Sequence, residues 1–295
     1  MIAANFRARH LSIVGLGLMG GSLALALRGH ADHITGIDSC EAARSYGLRG
    51  GFVDCATDDL FGGVNHADVV ILAAPVRVIV EMLKMRIGSY LRSNTLVVDI
   101  GSTKQDIVDA MANLPVGVNA MGGHPMTGKE NGGIEESDRA LYANRPFVLC
   151  PSRRTTPAAR LRAISLVETL GAIPIEMEAE RHDQIVAGIS HLPYLLSATL
   201  VATVANQAED DSAYWDLAAG GFRDTSRLAA SDVTMMGDIL STNTKAVATL
   251  LAQFRMQLAM LETMLIGGDE QRLSQSLQPI RRARKEWADN YEKGR

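Results

Sequence analysis

The feature that most constrains this chain is a glycine turn near its start, Gly15-Leu16-Gly17-Leu18-Met19-Gly20. It follows the apolar run LSIVG and opens the helix-forming stretch 18–29. Asp38 closes the next apolar run, HITGID, 18 residues beyond Gly20. Strand, GxGxxG turn, helix and a following acid at that distance make a dinucleotide-binding unit. Each part has a physical reason. Gly15 permits the tight turn, Gly17 lets the backbone approach a pyrophosphate, and Gly20 lets helix and strand close together. The helix start at Leu18 and Met19 offers unpaired N–H groups and a positive dipole end to phosphates. Asp38 can accept both ribose hydroxyls and would repel a 2′-phosphate, which favours NAD over NADP; Arg44, close behind, could instead turn towards a phosphate. Ala74-Pro75 ends a later strand, at the sheet edge where a bound dinucleotide lies.

The pattern downstream extends this unit. Runs 67–75, 94–102, 118–125, 146–151 and 172–177 read as strands, most of them apolar throughout, with helical stretches at 76–90, 104–113 and 156–171 between them. Strands buried on both faces and alternating with helices predict a doubly wound, mostly parallel α/β sheet. After about residue 178 no strand-like run follows. Long helices are expected over 180–207, 232–266 and 269–291, giving a division at 1–178 and 179–295. Within 246–265 apolar residues surround the helix widely, which predicts burial on several sides, by a second subunit or within one chain.

Composition excludes several classes. With 29 Lys and Arg against 33 Asp and Glu, the net charge is −4, so no nucleic-acid footprint is expected. Aromatics at 5% argue against a base-stacking surface. The start of the chain is too short and polar for a signal peptide, and apolar stretches are broken by Gly, His or charge, so no membrane span is expected. Cys40, Cys55 and Cys150 form no CxxC pair and read as reduced packing thiols of a cytoplasmic protein. The seven histidines show no metal-ligand spacing, so no metal is expected.

Four segments carry chemistry-bearing groups: Asp99-Ile100-Gly101-Ser102-Thr103-Lys104, Gly122-Gly123-His124-Pro125-Met126-Thr127-Gly128, Ser190-His191-Leu192-Pro193-Tyr194, and Gly220-Gly221-Phe222-Arg223-Asp224-Thr225-Ser226-Arg227. Ser102 stands where strand turns to helix and could be only a cap. His124, at the carboxyl edge of a dinucleotide sheet, points to proton transfer.

Taken together and in order, GLGLMGGS, DIGSTK, GGHPMTGKENGG, HDQIVAGISHLPY and GGFRDTSRLAASD resemble the prephenate/arogenate dehydrogenase family of tyrosine biosynthesis over essentially the whole chain. The resemblance implies a Rossmann-type domain followed by an all-helical dimerisation domain, and a homodimer formed through the latter. It implies NAD-dependent oxidative decarboxylation of prephenate to 4-hydroxyphenylpyruvate, or of arogenate to tyrosine. His124 would be the base, Ser102 its orienting partner beside the nicotinamide, and Arg227 the cation on the ring carboxylate, with Arg223 in a salt bridge. Ser190, Glu130 and Gly220 would line the substrate pocket, Gly220 from across the dimer. His191 would be a pocket ligand or a buried helix residue, and His182-Asp183 would serve domain packing. Lys129 and Tyr194 stand where some relatives carry threonine and histidine, near the side chain that separates the two substrates; an ammonium at 129 favours prephenate. An attached chorismate mutase or regulatory domain is not expected. A β-hydroxyacid dehydrogenase is the rival enzyme, disfavoured because 180–207 contains no lysine. A non-catalytic NAD sensor is the rival from another class.

Overall fold

A computed structural model describes residues 6–85, 87–129 and 131–293. The N-terminal part holds one eight-stranded sheet: β1 (Ala8–Val14), β2 (Ala31–Ile37), β3 (Cys55–Thr57), β4 (Val69–Leu72), β5 (Leu96–Asp99), β6 (Asn119–Pro125), β7 (Pro146–Pro151) and β8 (Ile173–Glu176). Their order across the sheet is β3-β2-β1-β4-β5-β6-β7-β8, with every pairing parallel except β6 against β7. The order reverses at β1, the topological switch point at which such sheets bind ligands.

Six helices cover the sheet or its edges: α1 (Leu18–Ala26), α2 (Glu41–Arg49), α3 (Leu60–Val64), α4 (Val76–Lys84), α5 (Gln105–Met111) and α6 (Pro157–Thr169). Alternate strand residues feed two separate cores. Ile13, Ile71, Val98 and Met121 pack with Leu23 of α1 and Leu166 of α6. Val70, Leu72 and Val97 pack on the other face with Ile79 of α4 and Ile107 of α5. That two-residue period with both faces apolar is why these strands are buried runs in sequence.

Helices alone follow: α7 (Ala179–Val186), a π turn at Ala187–His191, α8 (Leu192–Ala208), α9 (Ala213–Asp216), α10 (Gly220–Ser226), α11 (Val233–Thr242), α12 (Thr244–Ile266) and α13 (Glu270–Lys293). By packing, the chain divides into two compact units, Met1–Thr244 and Lys245–Arg295. Four expectations need correction. The short strand β3 and helix α2 went unread, since three residues make no run and α2 carries a single buried position, Gly47. The first helix stops at Ala26 rather than Gly29. Cys150 is buried, but Cys40 and Cys55 are exposed and do no packing. Finally, a stretch expected to be broken by Gly, His or charge runs as one continuous helix, Ala179–Ala208, through the π turn; at mean hydropathy 1.6 it is long and apolar enough to cross a membrane by length and composition only, a test that the core helix of a soluble protein also passes.

Candidate active site

The glycine turn sits at the end of β1. Gly15 has φ +98°, and a Cβ there would lie 2.2 Å from the Ala73 carbonyl oxygen; one at Gly20 would lie 1.8 Å from the Gly15 oxygen. Neither position admits a side chain. A Cβ at Gly17 would meet nothing within 4 Å, so this is the open approach to the backbone that a pyrophosphate requires. Leu18 and Met19 start α1, and Met19 is held by the Tyr142 hydroxyl, which donates to its carbonyl at 2.7 Å. Asp38, just past β2, accepts from the Leu16 N–H at 2.7 Å and the Cys40 N–H at 2.8 Å, which ties the acid to the turn. Arg44 donates to the carbonyls of Asp38 and Ser39 at 2.7 and 3.0 Å rather than standing free. Ala74 and Pro75 follow β4 and lead into α4, beside the turn: Ala73 N–H donates to Val14 at 2.7 Å.

Two strands further on, His124 lies on β6, half-buried. Its Nδ1 is 2.8 Å from Nε2 of His182 in α7, and the rings meet edge to face. His182 Nδ1 is in turn 2.8 Å from Oδ1 of Asp183. Asp183 is a hub: its carboxylate also accepts the backbone N–H groups of Lys104 and Gln105 at 2.7 and 2.9 Å, capping the start of α5 from outside. Its carbonyl accepts from Asn243 Nδ2 at 2.7 Å, and the same amide reaches Nδ1 of His191 at 3.2 Å. Beneath this, fully buried Lys104 is ion-paired with fully buried Asp99, whose carboxylate also accepts from Gly101 and Gly123 N–H at 2.7 and 3.0 Å. That pair fixes the loop carrying Ser102 against the strand carrying His124.

Electrostatics follow from burial. Burial first, and then the neighbouring His182, Lys104 and His191, hold His124 well below the ordinary histidine range. Burial likewise takes His191 down to about 4, against the pull of Asp183. Both imidazoles are neutral at pH 7. The Nε2 of His124 has no hydrogen-bond partner among the described residues and is not sealed from its surroundings.

The remaining expected positions divide. Ser102 stands at the end of β5, but the partner of the His124 ring is His182; the Ser102 hydroxyl makes no hydrogen bond among the described residues. His191 is buried. Ser190 is exposed and Tyr194 half-buried on the first turns beyond α7. Arg227, exposed, opens a short 3-10 turn that is pinned to α8 by the Ala229 N–H on buried Ser197 Oγ at 2.9 Å. Arg223 pairs with Asp224 at 2.9 Å, and Gly220 begins α10 on the surface. The Lys129 ammonium donates to the Glu136 carbonyl at 2.7 Å. Glu130 lies outside the described residues. Sequence reading missed His182, Asp183 and Asn243 as parts of this cluster. The available signal was an ionisable pair, His182-Asp183, at the start of a helix whose other inward positions are apolar.

Comparison with known proteins settles the kinship. The family model described as prephenate dehydrogenase, nucleotide-binding domain, matches residues 23–176, and that of the prephenate dehydrogenase dimerization domain matches residues 178–279. The chain belongs to the prephenate dehydrogenase family. A prephenate dehydrogenase of Bacillus subtilis is 36% identical over 78% of this chain, and the match spans 63% of that protein's own length. The crystal structure of a prephenate dehydrogenase from A. aeolicus, in complex with hydroxyphenyl propionate and NAD+, superposes with TM-score 0.87 at 30% identity, covering 94% of this chain and 98% of that one. A Synechocystis arogenate dehydrogenase superposes with TM-score 0.82 at the same identity, covering 94% and 99%. A 3-hydroxyisobutyrate dehydrogenase of Mycobacterium tuberculosis, of the rival enzyme class, shares the fold only, at 17% identity and TM-score 0.57.

Proposed function

We propose that this chain is an NAD-dependent prephenate dehydrogenase, converting prephenate to 4-hydroxyphenylpyruvate with loss of the ring carboxylate as CO2. The observation that carries this reading is a neutral imidazole, His124, at the carboxyl end of the sheet, with one nitrogen committed and the other open. A base of that kind can take the proton of a ring alcohol as the carbinol carbon is oxidised. NAD, when bound, supplies the hydride acceptor. The chain's own groups do the rest. The open backbone at Gly17 and the start of α1 receive the pyrophosphate, and Asp38 receives the ribose hydroxyls. Ser102 holds the substrate hydroxyl in line with His124. Arg227 holds the ring carboxylate as a planar, permanently charged donor that does not protonate it. Ser190, Tyr194 and Gly220 line the pocket, with Gly220 coming from the second subunit of a homodimer. Residues 1–178 form the cofactor domain and 179–295 the substrate and dimerisation domain, in a cytoplasmic enzyme.

NAD is preferred to NADP because Asp38 is tied to the glycine turn while Arg44 is engaged with carbonyls. Arogenate is the second reading, and one observation favours it: the Lys129 ammonium, the group that would repel the ammonium of an amino-acid substrate, is turned to the Glu136 carbonyl at 2.7 Å. A spectrophotometric assay of purified protein, pairing prephenate or arogenate with NAD or NADP, decides among these. Prephenate with NAD should give the highest kcat/KM; a higher value with arogenate overturns the substrate assignment.

A further inference from the structure

We propose that His182 is the positioning residue of the reaction: it selects the nitrogen of His124 that acts as base, and it holds the proton that the base releases. The argument rests on the reading of His124 given above and on the hydrogen-bond chain His124–His182–Asp183.

The chain has a direction. Asp183 Oδ1 and Oδ2 accept two backbone N–H groups and are acceptors only, so the His182 Nδ1 facing Oδ1 carries the proton. Neutral His182 then presents a lone pair at Nε2. The His124 Nδ1 that meets it at 2.8 Å must be the donor. Neutral His124 is therefore the Nδ1–H tautomer, and its lone pair is on Nε2, the nitrogen left open. This tautomer follows from the network, as it must where hydrogens are not observed. His182 and Asp183 are 1% and 4% exposed, so water does not compete for either bond.

The same chain can move charge. When Nε2 takes the substrate's hydroxyl proton, the Nδ1 proton passes to His182 Nε2, and His182 keeps its Nδ1 proton on Asp183. One proton enters the chain at His124, and one positive charge ends beside a carboxylate. Retained on His124, that charge would face the Lys104 ammonium from the start of α5 and His191 from the π turn. Asp99, on β5, is already occupied by Lys104 and two N–H groups. The carboxylate that can stabilise the charge is Asp183, and the way to it passes through His182.

The test is His182→Gln in the full-length enzyme. Its side-chain oxygen can still accept from His124 Nδ1, but it cannot hold a proton. The expected result is a kcat lower by about 10²-fold, with KM and NAD affinity changed less than about threefold. An unchanged kcat, or a KM that rises as much as kcat falls, overturns the proposal and leaves His182 a packing residue. Should the variant fail to fold, 15N NMR of the wild-type imidazoles decides instead: the Nδ1–H tautomer at His124 supports the inference, and Nε2–H overturns it. His124→Asn is run in parallel. If it is inactive while His182→Gln is normal, only the relay fails; if it is active, the base assignment itself fails.

Discussion

At the scale of single residues, glycines and one acid define what can bind beside β1. Gly15→Ala places a methyl group 2.2 Å from the Ala73 oxygen at a backbone conformation L-residues rarely adopt. The variant should lose measurable NAD binding by titration, with a lowered melting temperature, whereas Gly17→Ala, with open space around it, should fold normally and weaken NAD alone. Asp38→Ser should relax the discrimination against NADP; an unchanged NAD/NADP ratio of kcat/KM would mean that the acid does not touch the ribose. Arg227→Gln should raise KM strongly with a smaller change in kcat, and an unchanged KM would place the ring carboxylate elsewhere.

At the scale of elements, the joint between α5, α7 and α11 is the structural core of the site. Asp183 caps α5, binds His182 and receives Asn243, so Asp183→Ala leaves the cap and His182 Nδ1–H unsatisfied together. A loss of at least about 2 kcal/mol in denaturant unfolding is expected; a loss near zero would show that water replaces the carboxylate. His191 adds a pH dependence. Its folded-state value, about 4, lies below the unfolded value of 6.5, so the unfolded chain binds more protons between those limits. The stabilising contribution of neutral His191 is therefore complete above pH 6.5 and is lost as pH falls towards 4. The melting temperature should drop over that window, and less so in His191→Asn. Most of this architecture was legible in sequence: the seven longer strands, the glycine turn, and the change to helices alone near residue 178, because burial on both faces writes itself as apolar runs. The joint was not. His182-Asp183, Lys104 and Asn243 come from three separated segments, and nothing in local pattern says that a helix N-terminus is capped by a carboxylate 79 residues away.

At the scale of the whole molecule, the helical region carries exposed apolar side chains. On α12, Met256, Leu258, Met260, Leu265 and Ile266 are all exposed, with Ile266 at 81%. The sequence, apolar almost all round between 246 and 265, left open whether a second subunit or the same chain covers this helix. Val247 and Met264 of this helix are buried while the five named side chains are exposed, and the matching family domain is a dimerization domain. Sedimentation equilibrium should return twice 31.7 kDa, and Met260→Glu with Ile266→Glu should shift the species towards a monomer with reduced activity. A fully active monomer would remove any role for the second subunit in the pocket.

The proton acceptor is the group on which the enzymatic account stands, and steady-state turnover of prephenate with NAD by the wild-type enzyme and by His124→Asn tests it. Wild-type protein should produce NADH at a steady rate, and the variant should bind NAD normally while its kcat falls by about 10²–10⁴-fold. Near-normal turnover by the variant would contradict the account.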